Sequence, residues 1–164
     1  MLSDLTRVPL IARREIEARL ASPLLRAFAP LVGEAPARQA LQQVIAEQAR
    51  LAGAQMAAKQ GDNSLASMDT IVEMWGYDGS LSVQVLHRSD TRYDFNVTRC
   101  AYAEMYKALD LVDLGLVLSC GRDHPFFEGF NPGIRLARTY TILEGADHCD
   151  FRFSLAAPGG QTKP

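Results

Sequence analysis

The sequence predicts an α+β fold in which N-terminal helices pack on an antiparallel sheet made of two hairpins, with further helices between the hairpins. Up to residue 75, apolar side chains recur every three or four positions, which is the spacing of a helix with one buried face. Two later segments, 81–98 and 134–155, instead alternate apolar and polar residues, as strands covered on one side do. Helical spacing returns between these two segments.

The N-terminal helices are marked by start and stop signals. Pro9 stands at a favoured first helical position, and a second start signal at Ser22 and Pro23 predicts that a separate helix follows the first. Gly33 would end that second helix, because glycine readily adopts the left-handed conformation common after a helix. The predicted helices cover residues 10–21, 22–33, 36–60 and 65–75.

The first hairpin, 81–98, leads into a helix that carries a cysteine near its start. Thr98 is the predicted N-cap, which places Cys100 in the first helical turn. A thiol in that position feels the helix dipole and the unpaired amides, and both lower its pKa. The alternative interpretation is that Cys100 is a small buried residue that packs the helix start.

The next helix, over 111–119, ends at a cluster of reactive side chains. A thiol, a guanidinium group, a carboxylate and an imidazole all occur between Cys120 and His124. If helical geometry continues, Asp123 and His124 lie one turn beyond Cys120 on the same face. A carboxylate or imidazole there could take the thiol proton or give one to a leaving group. The alternative is an ordinary solvated helix end.

The last hairpin is predicted to have strands over 134–143 and 149–155, joined by a turn. Alternation places Cys149 and Phe151 on one face and Asp150 on the other. The polar and reactive groups of this hairpin therefore cannot all serve one pocket. We expect the hairpin to form one wall of a site rather than the whole site.

The composition argues against several classes of function. The formal net charge is -2 and 22% of the residues are charged, so there is no basic field to attract nucleic acid. No apolar run approaches the roughly 18 residues of a membrane span. Charged residues stand where a signal peptide would have its apolar core, which predicts a cytoplasmic protein.

The three cysteines of the chain are expected to be reduced thiols rather than a disulfide framework. Zinc could take ligands from Cys100, Cys120, Cys149, His124 and His148. However, no two cysteines show close ligand spacing, and His148 points to the opposite side of a strand from Cys149. We therefore predict neither a metal nor another cofactor.

Three motifs in the second half of the chain carry a family resemblance. They are Arg138-Thr139-x-Thr141-Ile142-x-x-Gly145-x-x-x-Cys149-Asp150-Phe151-Arg152-Phe153, Asn96-x-Thr98-x-Cys100-x-Tyr102 and Cys120-x-x-Asp123. Together they resemble the L-2-amino-thiazoline-4-carboxylic acid hydrolase family from about Tyr93 to Leu155. The resemblance implies a small cytoplasmic bacterial protein. The family's namesake activity opens a thiazoline ring by hydrolysis and gives N-carbamoyl-L-cysteine.

The namesake reaction needs a nucleophile, a proton carrier and an anchor for the ring carboxylate. Set against that chemistry, the preferred nucleophile is Cys120, with Asp123 as proton shuttle and Cys100 as the rival thiol. Arg138 or Arg122 would hold the substrate carboxylate through a bidentate pair. Further residues expected to contact the small-molecule substrate are Cys149, His124, Phe127 and Asn96.

A fainter similarity, to 4-vinyl reductase domains and vesicle-tethering TRAPP subunits, supports a second hypothesis. Those proteins share an α+β fold with a hydrophobic ligand cavity, and they often dimerise through helices. The chain would then be a non-catalytic binding domain in which Phe126, Phe127 and Phe130 line the cavity. The N-terminal helices could pack against a second copy as a homodimer. In either case we expect residues 1–155 to form a single α+β hydrolase-like domain and residues 156–164 a disordered tail.

Overall fold

A computed structural model describes residues 8–155, and the predicted tail at 156–164 lies outside them. The first two helices are long, and the later ones are short and lie before and between the two strand pairs. The elements are α1 Leu10–Val32, α2 Glu34–Gln60, α3 Met68–Trp75, β1 Leu81–Arg88, β2 Arg92–Cys100, α4 Ala101–Ala108, α5 Val112–Leu118, α6 Asp123–Phe130, β3 Ile134–Ala137 and β4 Cys149–Leu155. Within the described range, no helix combines the length and apolar character needed to cross a membrane.

The four strands form one antiparallel sheet in the order β1-β2-β4-β3. The two hairpins are joined because β2 pairs with β4, which places Phe95 opposite Phe151 and Val97 opposite Cys149. These side chains share one face of the sheet and are buried against the helices. The predicted α+β fold, with helices on a sheet made of two hairpins, is confirmed.

Helix α1 is continuous, so the predicted break at Ser22 is wrong. Pro23 and Pro30 both lie inside the helix, and Ser22 is buried. A proline inside a helix loses one hydrogen bond and strains the preceding turn, which favours a break when the chain is considered locally. Here α1 packs along α2 and against α4 and α5, and the buried side chains Ala18 and Ser22 keep the helix intact.

The start of α4 also differs from the prediction. Thr98 belongs to β2, where its hydroxyl donates to the carbonyl of Ser82. The N-cap is Cys100, whose Sγ accepts the backbone N–H of Ala103 at 3.4 Å. The helix therefore begins two residues later than expected, because the strand continues to the cap itself.

The last hairpin is shorter than its sequence pattern indicates. Strand β3 ends at Ala137, although the alternating pattern continues to residue 143. The carboxylate of Asp150 accepts the backbone N–H groups of Thr139 and Tyr140 at 2.8 and 2.6 Å. These amides are therefore paired with a side chain instead of a neighbouring strand, and a short 3₁₀ turn, Ile142–Glu144, follows.

Helices α2 and α6 approach each other closely through two glycines. A Cβ at Gly53 would lie 2.0 Å from the carbonyl oxygen of Phe126, and a Cβ at Gly129 would lie 2.0 Å from that of Arg50. Only glycine allows this backbone contact. The contact holds α6 so that Phe127 and Phe130 fill the core while Phe126 reaches the edge of a cavity.

Candidate active site

A cavity of about 530 Å³ lies between helices α1 to α4, the apolar face of the sheet and the segment that joins α5 to α6. Its apolar walls include Trp75, Phe126 and Phe151. All three cysteines reach it: Cys100 from the end of β2, Cys120 from the turn before α6, and Cys149 from the start of β4. The fold thus brings together thiols that are far apart in the sequence.

The three thiols are free, and two of them are held by backbone amides. The N–H of Ala103 donates to Cys100, and the N–H of Ile142 donates to Cys149 at 3.2 Å. Cys120 Sγ accepts no such bond from any described residue. Its sulfur is therefore the least constrained of the three by hydrogen bonding.

Burial keeps all three thiols protonated at neutral pH. It raises the pKa of Cys100 to about 11, even though two backbone N–H groups act in the opposite direction. The expectation that the helix start would lower this pKa is wrong, because desolvation of the thiolate outweighs the amides. Burial also raises the pKa of Cys149, and for Cys120 the carboxylate of Asp123 adds to the effect.

Asp123 and Arg138 form a buried ion pair beside Cys120. Their side chains are only 16% and 11% exposed, and Arg138 also donates to the carbonyl of Cys120 at 3.0 Å. The guanidinium carbon lies 5.3 Å from the centre of the Phe151 ring, a cation–π contact. Arg138 therefore ties the first residue of α6 to the chain after β3.

The ion pair gives Asp123 a pKa suited to proton transfer. Burial raises this pKa to about 6, and Arg138 limits the rise. Burial alone would lower the pKa of Arg138, but Asp123 and Cys120 raise it on balance, so the guanidinium stays charged. A carboxyl group with such a pKa can both accept and donate a proton near neutrality.

Three further arginines lie around the cavity on the side of α1. Arg14 and Arg122 share the carboxylate of Glu17, with N–O distances of 2.8 and 3.0 Å. Arg13 lines the same cavity. Sequence reasoning missed Arg13 and Arg14, which stand in a heavily charged helix with no local motif around them. They become candidates only because α1 passes over the cavity.

The remaining predicted site residues lie away from the cavity. Asn96 is on the opposite face of the sheet, where its side-chain oxygen accepts from Arg152 at 2.7 Å. His124 is exposed on the outer side of α6. Phe127 is buried in the core, 4.5 Å from Phe153 between ring centres. Six of the predicted site residues therefore line the cavity and the other three do not; the six are Cys100, Cys120, Cys149, Asp123, Arg122 and Arg138.

Potential metal ligands do not converge in the part of the chain that the structure describes. There, no three His, Cys, Asp or Glu side chains are arranged to hold a metal ion. His148, one of the possible zinc ligands, contacts the carboxylate of Asp147 at the surface.

Comparisons with known proteins identify a family and a fold. No curated protein matches the sequence at a significant level. The chain is similar in structure to the phenol-responsive sensory domain of the transcription activator PoxR, solved with phenol, with 13% identity and a TM-score of 0.52. That match covers 84% of this chain and 73% of the sensory domain, and at this identity it shows a shared fold alone. The family model for L-2-amino-thiazoline-4-carboxylic acid hydrolase matches residues 13–153, so the chain belongs to that family.

Proposed function

We propose that the protein is a hydrolase that opens a small heterocycle, a 2-aminothiazoline-4-carboxylate-like ring or a related cyclic amidine or amide. Family membership supports a hydrolase. The observation that carries the proposal is the buried Asp123–Arg138 pair next to Cys120 in a cavity of about 530 Å³. Such a cavity has a volume typical of small-molecule sites. It supplies a nucleophile, a proton carrier and a fixed positive charge together.

Cys120 is the proposed nucleophile. Its thiol is protonated at rest, so its proton passes to Asp123 as the sulfur attacks the amidine carbon of the ring. The bond from that carbon to the ring sulfur then breaks, and the departing sulfur takes the proton from Asp123. Water next attacks the same carbon and breaks its bond to Cys120; the oxygen stays on the carbon, one hydrogen goes to the Cys120 sulfur and the other to the former ring nitrogen. One water is added overall, and both groups return to their first state.

Arg138 is assigned to Asp123 rather than to the substrate. Its donors already bind the Asp123 carboxylate and the Cys120 carbonyl. It therefore orients the proton carrier and keeps it ionised until a proton arrives. Cys100 and Cys149 are placed as cavity walls, because each sulfur already accepts a backbone N–H.

The test of Cys120 compares alanine variants of the three cysteines. Cys120→Ala is expected to lower kcat by on the order of 10³-fold or more, as removal of a nucleophile does. Cys100→Ala and Cys149→Ala serve as matched controls and should keep kcat within about tenfold. Formation of the ring-opened product from 2-aminothiazoline-4-carboxylate is followed by liquid chromatography with mass spectrometry. Full turnover by Cys120→Ala would sink the assignment.

Binding without turnover is the second candidate, and one observation favours it. Burial raises the pKa of every thiol in the cavity, which suits inert walls better than activated nucleophiles. The structural neighbour, a sensory domain, shows that the fold also occurs in a protein that responds to phenol. This candidate predicts that an apolar ligand stays bound through purification, which native mass spectrometry would detect, and that no ring opening occurs.

A further inference from the structure

The cavity carries more positive than negative charge. Among the residues that the structure describes, five cationic side chains line it, and Asp123 is the one acidic side chain that does so. Glu17, which bridges two of the arginines, supplies a second carboxylate. Unbalanced positive charge beside largely apolar walls is unfavourable unless a counter-charge joins it. A ligand with an acid group would supply that counter-charge. The cationic residues are Arg13, Arg14, Lys59, Arg122 and Arg138.

Three of the buried arginines already have protein partners. Arg138 is bound to Asp123 and to a backbone carbonyl. Arg14 and Arg122 share Glu17, and Arg122 Nε also donates to the carbonyl of Leu118 at 2.7 Å. Their positions are fixed by these bonds, so they form a rigid cationic surround.

Arg13 differs from the others. Its Nε is fully buried and has no hydrogen-bond partner among the described residues. A buried donor without a partner costs free energy, so such a group in a native protein calls for an explanation. Arg13 and Tyr102 both line the cavity.

We propose that Arg13 binds the acid group of the ligand and so determines the specificity of the site for small heterocyclic carboxylates. Because its Nε is buried out of reach, Arg13 would hold the carboxylate through its two terminal nitrogens, in two parallel bonds. Arg14 and Arg122 strengthen the local positive potential, but their guanidinium groups are already bound to Glu17. The inference rests on the proposed function in that the same cavity holds the substrate, but it concerns binding and not the chemical step.

The test uses probes that the enzyme cannot open. L-Thiazolidine-4-carboxylate has a saturated ring without an amidine carbon, and L-thiazolidine-4-carboxamide is its uncharged counterpart. Dissociation constants are measured by isothermal titration calorimetry for the unmodified protein, Arg13→Gln, Arg13→Lys and Arg19→Gln. Arg19 is the matched control, because it lies on the same helix, is 61% exposed and pairs with Glu15.

Arg13→Gln is expected to weaken binding of the acid about 10- to 100-fold and to leave binding of the amide unchanged. Arg13→Lys keeps the charge but loses the two-point geometry, so its preference for acid over amide should be intermediate. Arg19→Gln should match the unmodified protein. Equal losses for acid and amide in Arg13→Gln, or no preference for the acid in the unmodified protein, would overturn the proposal.

The outcomes separate this inference from the proposed function. If Arg13 governs acid binding but 2-aminothiazoline-4-carboxylate is never opened, the hydrolase proposal fails and the Arg13 assignment stands. If the ring is opened and Arg13→Gln binds the acid normally, the hydrolase proposal stands and the Arg13 assignment fails. Should Arg13→Gln fail to fold, which circular dichroism would show, the acid-to-amide ratio of Arg13→Lys decides: an unchanged ratio overturns the assignment.

Discussion

Asp123 is buried in a site where a carboxyl group without a charged partner would be neutral. Burial favours its neutral form, while Arg138 favours the anion, and the balance leaves its pKa at about 6. Its proton affinity is thus set by two opposing effects, of which burial is the larger. This balance allows one side chain to serve as base in one step and as acid in the next.

The activity should therefore have an acidic limb. Only the carboxylate form of Asp123 can accept the thiol proton, so kcat/KM is expected to rise with pH through about 6 and to level off above it. Asp123→Asn should remove this limb and lower kcat by about 10²- to 10⁴-fold. Product formation is measured across a pH range centred on that pKa.

The matched control for this profile is Asp113→Asn. Asp113 is an exposed carboxylate in the first turn of α5 and does not line the site cavity. Its variant should keep both the rate and the acidic limb. An acidic limb that persists unchanged in Asp123→Asn would assign the titration to another group.

For single residues, spacing along the sequence predicted site positions correctly where both residues lie within one helical turn. Cys120 and Asp123 are three residues apart, and the structure places both on the cavity. Arg13 was not predicted, because its role depends on where α1 lies relative to a cavity built by later elements. Asn96 was proposed from a motif alone. Strand alternation places its side chain on the other face of the sheet from Val97, and so outside the cavity.

Helices α2 and α6 depend on contact between their backbones. Gly53→Ala is expected to reduce the free energy of unfolding by about 3 kcal/mol, because the new methyl group would overlap the Phe126 carbonyl and force the helices apart. Urea denaturation followed by circular dichroism measures the change. The displaced Phe126 should also disturb the cavity wall.

The control for this substitution is Ala54→Gly on the exposed side of α2. It should cost only about 1 kcal/mol, through the lower helix propensity of glycine. A Gly53→Ala protein as stable as the original would show that the two helices can separate freely.

At the level of elements, the sequence predicted type better than extent. The alternation over 134–143 resembles a single strand, but residues 138–143 lie outside β3, and the Asp150 carboxylate binds two of their backbone amides. The signals at Ser22 and Pro23 indicate a helix start as strongly as they would at a true boundary. Packing of α1 against α2 and α5 keeps the helix continuous through these residues. The local sequence pattern contains no information about that packing.

Considered as a whole, the molecule leaves an apolar stripe of α1 uncovered. Its first four members, Ile16, Leu20, Leu24 and Phe28, are four residues apart, so they lie on one face of the helix. Position 24 is the centre of the stripe, and an antiparallel copy of α1 would place residues 20 and 28 against each other. The stripe is thus self-complementary, as a two-fold interface requires. Its members, all at least 47% exposed, are Ile16, Leu20, Leu24, Phe28, Leu31 and Val32.

We therefore expect a homodimer formed through α1. Leu20→Glu combined with Phe28→Glu should give a monomer with unchanged circular dichroism, because charged residues at the centre of an apolar contact oppose association. Sedimentation velocity over a range of concentrations measures the mass. Arg19→Glu combined with Arg26→Glu, on exposed positions outside the stripe, is the control and should leave the dimer intact. A monomeric original protein would refute the interface.

The overall architecture was predictable because it depends on periodicity. The change from a helical period to a period of two marks where the sheet begins, and this change needs no knowledge of distant contacts. The pairing of β2 with β4 could not be predicted from periodicity. It follows from the matching apolar faces of the strands, with Phe95 stacked on Phe151 at 4.7 Å between ring centres.

That pairing has a consequence for how the chain folds. Strands β2 and β4 are separated by nearly fifty residues, so joining them requires closure of a long loop, and such contacts form slowly compared with helices and local hairpins. Cys100, Cys120 and Cys149 can meet only after this closure. The site is therefore absent from any partly folded chain that has local helices alone. A ligand that binds the site stabilises only the chain whose sheet is complete. The Tm of the protein should therefore rise with the ligand concentration.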